Sequence, residues 1–342
     1  MRKLRLLLLP FAWIYGSITF LRNKFFDWGI FKSYTIPQKS INVGNLSVGG
    51  TGKTPHVDYL IEHFLEKKCD VVTLSRGYGR KTSGLVHANT SSTSEQIGDE
   101  PCLFKQKHKE KIDVVVSEKR KIGIDYISKK LPKTDLIILD DAFQHRAVKA
   151  GLNILITPFN DLFSSDFMLP AGNLREWKLG RKRADIIIVS KSPANLSLKE
   201  SVRIKNVLRT SVPIHFSSII YGRLIPISNH STKSPKNILL VTGIGNPSPL
   251  EKHLKTKANV ELMQFNDHHE FTLSDLSVIR EKFDTFTDSD KIIVTTEKDF
   301  MRLGKFQEVL EGNLPWFYQP ITIKIHDQQN FKNLIDGYFS KI

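Results

Sequence analysis

The sequence predicts an α/β protein: a large domain on a mostly parallel sheet, a second and smaller α/β domain, and an apolar helix in front of both. Three observations lead there. Short apolar runs alternate with helix-length stretches; turn-prone residues 212–235 interrupt that alternation; and the chain opens on an apolar run flanked by basic residues. The apolar runs are Ile41–Leu46, Val71–Ser75, Val114–Ser117, Leu136–Leu139, Ile154–Thr157 and Ile186–Ser190. They are continuous rather than alternating, as in strands buried on both faces of a parallel sheet. Pro55–Lys67 and Glu118–Lys130 are long enough for crossover helices between them.

Length and composition set the bounds. At 342 residues the chain exceeds one ordinary module, and 40% apolar with 25% charged residues can bury a sizeable core. Disordered, collagen-like and coiled-coil classes are thereby excluded. Lys plus Arg number 50 against 35 Asp plus Glu, a surplus of +15. Such a surplus points to an anionic partner: nucleic acid, anionic lipid or a phosphorylated substrate. Cys69 and Cys102 make neither a disulfide framework nor a metal-ligand pattern, which places the chain in a reducing compartment, on the cytoplasmic side.

Taken in order, residues 1–36 form the membrane-associated segment. Arg2, Lys3 and Arg5 precede an apolar run from Leu6 to Leu21 that contains Pro10, and Arg22 and Lys24 follow it. The run is shorter than the roughly 20 residues of a spanning helix. Trp13, Tyr15, Phe20, Phe25, Phe26 and Trp28 suit the headgroup level of a bilayer. A signal peptide and a helix packed on the protein's own core are the alternatives; no A-x-A-like cleavage site follows. Residues 37–211 form the first domain and 212–235 a linker that carries a strand-like piece, His215–Tyr221. Residues 236–316 form the second domain, with strands at Ile238–Thr242 and Lys291–Thr296. Residues 317–342 hold a strand, Phe317–Ile325, returning towards the linker, and a C-terminal helix. Ala88–Gln96 reads as a mobile polar loop.

Ser47-Val48-Gly49-Gly50-Thr51-Gly52-Lys53-Thr54 lies between a strand and a helix, the context of a phosphate-binding loop, and makes the first domain P-loop NTPase-type. The glycines let backbone N–H groups turn onto phosphate oxygens. Lys53 reaches the β- and γ-phosphates and the Thr54 hydroxyl ligates Mg²⁺. Ser47 replaces the first Gly of the usual pattern. Asp140 and Asp141 end an apolar strand, where an open parallel sheet gathers its ligands and where a Walker-B acid holds Mg²⁺. Gln144, His145 and Arg146 follow. Asp99 and Glu100 before Pro101 read either as a helix start or as a carboxylate that accepts a hydroxyl proton. Asp267-His268-His269-Glu270 either orients such a carboxylate or is a solvent-exposed loop. Arg175 and Glu176 are a surface ion pair, or a charge-stabilising cation beside a metal ligand. Arg76–Arg80 is a basic glycine loop, and Thr295–Asp299 caps a helix.

Together, Ser47–Pro55, Ser75–Arg80, Gly98–Pro101, Asp140–Arg146, Leu169–Glu176, Asp267–His269 and Thr295–Asp299 resemble, in order along nearly the whole chain, the tetraacyldisaccharide 4′-kinase family, the lipid A 4′-kinases of Gram-negative bacteria. The resemblance implies an ATP- and Mg²⁺-dependent kinase at the cytoplasmic face of the inner membrane. Its substrate would be an acylated glucosamine disaccharide 1-phosphate, phosphorylated at the 4′-hydroxyl. It further implies Asp99 as catalytic base, His268 as its partner, and Lys53, Thr54, Asp140, Asp141, Gln144, Arg175 and Glu176 in the phosphate and metal positions. Two domains closing over ATP are implied as well. Trp177 departs from the family's usual Pro, which bears on the aim of Glu176 at the metal. The partners expected are the lipid substrate and an anionic membrane surface, with neither nucleic acid nor a protein partner indicated. Two rivals remain. A membrane-associated P-loop ATPase or GTPase switch explains the phosphate loop but not the Asp99 turn or the His268 loop. A nucleic-acid-binding protein explains the charge but lacks a recognised motif.

Overall fold

Continuous β-branched runs can be buried on both faces only where helices cover both, and this chain arranges its segments that way. The computed structural model describes residues 2–227, 235–288 and 290–340. Among them, nine strands form the larger sheet: β1 (Lys39–Asn45), β2 (Val71–Ser75), β3 (Val86–His87), β4 (Ile112–Val116), β5 (Leu136–Asp140), β6 (Leu152–Pro158), β7 (Ile186–Ser190), β8 (Ile214–Tyr221) and, from the far end of the chain, β14 (Ile321–Ile325). Their spatial order is β14-β8-β7-β6-β1-β5-β2-β4-β3, parallel except at the two edges. Strand β1 lies centrally, with β5 and β6 on either side, so its C-terminal end opens between two neighbours. The helices α2 (Lys53–Glu66) and α9 (Gln328–Ser340) cover one face through Val57, Ile61, Phe64, Phe331 and Ile335. On the other face α4 (Arg120–Lys130) packs Ile124 and Ile127 on Val72 and Ile137, and α5 (Leu198–Leu208) packs Ile204 and Leu208 beside Ile187.

The smaller sheet has the order β9-β13-β12-β10-β11, from β9 (Ile225–Pro226), β10 (Asn237–Thr242), β11 (Asn259–Gln264), β12 (Lys291–Thr296) and β13 (Trp316–Gln319). Helix α7 (Leu273–Asp284) covers one face with Ile279 and Phe283, and α6 (Ser248–Lys255) the other with Leu250 and Leu254.

Two boundaries differ from the sequence reading. Residues 212–235 do not form a plain linker: Ile214 pairs with Ile187 and Tyr221 with Ile321, so β8 is an inner strand of the larger sheet. The strand-like piece His215–Tyr221 was legible in the sequence, but its place inside the larger sheet was not, because its partner strands lie far from it along the chain. Positions 228–234 of that segment lie outside the described residues. The expected strand Phe317–Ile325 is two strands, because Pro320 has no N–H for a ladder. The chain thus passes between the sheets twice, after Tyr221 and at Pro320. The crossings are tied to each other by Gly222 N–H donating to Pro320 O (3.0 Å) and Gln319 Nε2 donating to Gly222 O (2.8 Å).

Pro10 does not break the N-terminal helix. It sits in the first turn of α1 (Leu9–Asp27), where its missing N–H has no intrahelical partner to lose. With the preceding turn the helix runs from Leu6 to Asp27, 22 residues, long and apolar enough to cross a membrane by length and composition. The apolar run undercounts it because Arg22 and Lys24 continue the same helix. Only Ala12 and Gly16 are buried, whereas Leu7, Phe11, Trp13, Ile14 and Ile18 are each at least 60% exposed. Gly16 is required by close approach: a Cβ there would lie 2.8 Å from the Trp177 ring, whose Nε1–H donates to Gly16 O at 2.7 Å. The polar loop Ala88–Gln96, expected to be mobile, is pinned. Thr93 and Gln96 form a capping box for the short helix Ser94–Ile97, and the Ser94 hydroxyl donates to Met301 O across the two domains (3.0 Å).

Candidate active site

The loop Ser47–Gly52 leaves the central strand β1 and enters α2 at Lys53. Gly49 (φ +96°) and Gly52 (φ +90°) occupy the left-handed region, and nothing within 4 Å would meet a Cβ on Gly49 or Gly50. Ser47 needs no such freedom. It forms a bridge with Leu174 at ordinary φ, so a side chain fits where the usual loop has Gly. Neighbouring strands hold the loop: Ser190 Oγ donates to Thr51 O (2.6 Å), Lys191 Nζ to Gly50 O (2.6 Å) and Asn45 Nδ2 to the Thr51 hydroxyl (2.8 Å). Under the helix start, His56 bridges Gly52 O (2.6 Å) and Ser217 Oγ of β8 (2.8 Å). Burial pushes its pKa down to about 4, so it acts as a neutral strut.

Strand β5 delivers the acids beside this loop. Asp141, itself at φ +51°, accepts both oxygens' worth of contact from Arg175 Nη1 (3.0 and 2.9 Å) and lies 3.5 Å from Lys53 Nζ. Burial opposes ionisation there, but the Lys53 and Arg175 charges prevail and hold its carboxyl below the usual range. Asp140 behaves oppositely. Burial, reinforced by the Glu100 and Asp141 carboxylates, raises it to about 7 against the pull of Lys53 and Arg120. Its Oδ1 is buried without a hydrogen-bond partner. A buried, unsatisfied carboxylate oxygen at a strand end is what a hard divalent cation satisfies, so the donor set fits Mg²⁺. Arg120, buried behind the pair and bonded to Ser117 O (2.8 Å), supplies a fixed positive charge.

Two expected metal ligands are engaged by other side chains in this structure. Glu176 is buried, and its oxygens are taken by Arg183 Nη2 (2.7 Å), Gln144 Nε2 (2.9 Å) and Asn23 Nδ2 of α1 (2.9 Å). Gln144 spends its amide nitrogen on Glu176 and Asn45 O (2.8 Å), while its Oε1 is 3.4 Å from Arg175. Both therefore brace Arg175 and the N-terminal helix. The reason is Trp177: docking on Gly16, it carries Glu176 towards α1.

The remaining expected residues meet where the two domains touch. Asp99 opens helix α3 (Asp99–His108) after Gly98 (φ +92°), a residue without room for a side chain against Gly77 and Tyr78. From the smaller domain His268, at φ +58°, brings Nδ1 to 3.1 Å from Asp99 Oδ2. Helix α8 (Glu297–Leu303) adds Lys298 Nζ, 2.7 Å from Glu100 and 3.3 Å from His268 Nε2, and Arg302 Nε, 3.8 Å from Asp99. Burial pushes the Asp99 carboxyl up, but the His268 hydrogen bond with the Arg302 and Lys298 charges outweighs it and holds the group ionised below its ordinary range. Asp267, in the loop after β11, lies against Gly245 in the loop after β10, where a Cβ would stand 3.3 Å from its Oδ2. His269 pairs with Asp275 (3.0 Å) and stacks on Phe265, a structural duty. Glu100, whose charge is felt at Asp140, connects this corner to the phosphate loop.

Lys191, His56, Arg120, Lys298 and Arg302 escaped the sequence reading. Lys191 had a signal, since it directly follows a parallel strand; His56, Lys298 and Arg302 also act through partners distant in sequence, Ser217, Glu100 and Asp99.

The family model described as tetraacyldisaccharide-1-P 4′-kinase matches residues 4–340. The chain belongs to that family. Membership makes it a kinase, a phosphotransferase of lipid A biosynthesis. Among relatives of this kinase family, the tetraacyldisaccharide 4′-kinase of Flavobacterium johnsoniae is 44% identical, over 100% of this chain and 99% of its own. That of Bacteroides fragilis is 41% identical, over 98% and 93%. The crystal structure of LpxK from Aquifex aeolicus in complex with ATP superposes with a TM-score of 0.76 at 31% identity, covering 98% of this chain and 99% of that one.

Proposed function

We propose that this chain transfers the γ-phosphoryl group of ATP to the 4′-hydroxyl of a tetraacylated glucosamine disaccharide 1-phosphate at the cytoplasmic face of the inner membrane. The observation that carries the mechanism is the Asp99–His268 contact across the two domains, next to the phosphate loop. The hydroxyl oxygen attacks the γ-phosphorus, the bond to the β–γ bridging oxygen breaks, and ADP leaves. Asp99 accepts the hydroxyl proton late, when the attacking oxygen has become acidic. His268 orients the carboxylate, and its own ring is steadied by Lys298. Lys53 and Arg175, both now resting on Asp141, neutralise charge building on the γ-phosphoryl oxygens. Gly49–Lys53 N–H groups and the start of α2 take the other phosphate oxygens. Thr54 and Asp140 would hold Mg²⁺, which supplies further charge neutralisation at the phosphates.

The membrane reading rests on α1. It exposes a broad apolar face, has Arg5 before it and Arg22 and Lys24 near its C-terminal end, and belongs to a chain with a +15 surplus. An amphiphilic substrate and an anionic bilayer surface are matched by that combination. The test is a transfer assay with labelled ATP, Mg²⁺ and the acylated disaccharide 1-phosphate in detergent. Label is expected in the lipid for the wild type and not for Asp99→Ala. Phosphate release at an equal rate without lipid would replace the kinase reading by an ATPase switch.

A further inference from the structure

A second cavity lies away from the phosphate loop. A cleft of about 630 Å³ opens between the segment after Trp177 and the end of α5, lined by Phe163, Ser164, Lys178, Arg181, Arg203 and Arg209. Four of its nine lining residues are cationic. Among the described residues no carboxylate stands within ion-pair distance of any of the four. Clustered like charges raise the energy of the fold unless an anion sits among them. The cleft is also built: Arg181 is held by Lys178 O (3.1 Å) and Arg209 O (3.4 Å), and Lys178 donates to Ser164 O (2.7 Å). The Ser164 hydroxyl oxygen is buried without a partner, a second polar group that a bound anion would satisfy.

An apolar groove of about 310 Å³, lined by Ser17, Phe20, Trp177 and Leu179, adjoins it in sequence. Trp177 and Leu179 therefore line the groove along α1, while Lys178 and Arg181 line the cleft. An apolar slot beside a basic cup matches a phosphate carried on an acyl chain-bearing lipid. We propose that this cleft binds such a lipid phosphate, either the 1-phosphate of the acylated disaccharide substrate or the head group of an anionic membrane lipid. The first source rests on the function proposed above. Three peptide units cannot span more than about 11 Å, so Lys178 stands within one disaccharide's reach of Arg175, which contacts Asp141.

The test compares full-length wild type with the double variant Arg203→Glu, Arg209→Asn. Asn tolerates the left-handed backbone found at Arg209 (φ +47°), and unchanged ATP affinity and melting temperature confirm folding. The single variant Arg203→Gln serves if the double variant does not fold. With labelled ATP and two lipids, the acylated disaccharide with and without its 1-phosphate, the substrate source predicts a KM rise of about tenfold for the phosphorylated lipid. That corresponds to about 1.4 kcal/mol. The KM for the dephosphorylated lipid and both kcat values should stay within twofold. The head-group source instead predicts unchanged KM values with lost preference for phosphatidylglycerol over phosphatidylcholine vesicles in sedimentation. No change in either arm overturns the proposal. If the wild type labels neither lipid, the kinase reading fails, and the vesicle arm still decides the cleft.

Discussion

The phosphate loop and the Asp99 corner solve the same problem, holding charged groups in fixed positions, with different means. The loop hangs from one strand–loop–helix unit, and its supports, Asn45, Ser190 and Lys191, come from strands of the same sheet. The corner has no such frame. Asp99 comes from the larger domain, His268, Lys298 and Arg302 from the smaller one, and the cluster exists only while α3 and α8 are apposed. The loop is thus set by local chain geometry, whereas the corner is set by the relative placement of two domains. Substrate binding should depend mainly on the first and turnover mainly on the second.

The sharpest way to break this division is Asp99→Ala. It should lower kcat by about 10³-fold, within the range for a positioned base, and leave ATP affinity within twofold by calorimetry. Comparable losses in both quantities would erase the distinction. Lys53→Ala should cut kcat by about 10²-fold and also weaken ATP binding severalfold, because its ammonium serves ground and transition states together. A fall in kcat alone would move Lys53 into the same category as Asp99. His268→Asn should cost about 10- to 10²-fold in kcat, and almost nothing further when Asp99→Ala is already present. Multiplying losses in the double variant would show that the two act separately.

Smaller still is an effect on stability. Asp140 titrates near 7 in the folded chain against an ordinary 3.8. A carboxyl raised by folding destabilises, and the penalty is absent below about pH 4, grows with pH and is complete above about 7. Asp140→Asn should therefore raise the melting temperature of the ligand-free protein by several degrees at pH 8 and by less at pH 5.5. Over the same range, Mg²⁺·ADP affinity of the wild type should rise with pH, and that dependence should vanish in the variant. An unchanged melting temperature at pH 8 would show that Asp140 is already satisfied.

The same contrast explains what could be read in advance. Strands β2, β7 and β12 match the apolar runs to the residue, since a fully buried strand writes itself as a continuous apolar stretch. The phosphate loop was legible because all its parts are contiguous. His268 was reached through the family pattern rather than from local sequence, and Lys298 and Arg302 looked like helix-capping surroundings. Their contacts join residues about 170 to 200 positions apart, a separation no periodicity records. The surroundings of Glu176 were hidden for a related reason. Its neighbours in sequence suggest a metal ligand, but Arg183 and Asn23 decide its orientation, and Asn23 lies on a helix more than 150 positions away.

The two crossings between the sheets carry a mechanical consequence. One strand joining two bodies behaves as a ball joint, free to tilt and twist. Here a second strand runs beside the first, and Gly222 and Pro320 are laced together. Such a pair acts as a two-pin door hinge, which suppresses torsion and leaves a single swing axis. Each swing of the smaller domain would then return His268 along one arc to the same point on Asp99, so that alignment is recovered at every closing without being searched for.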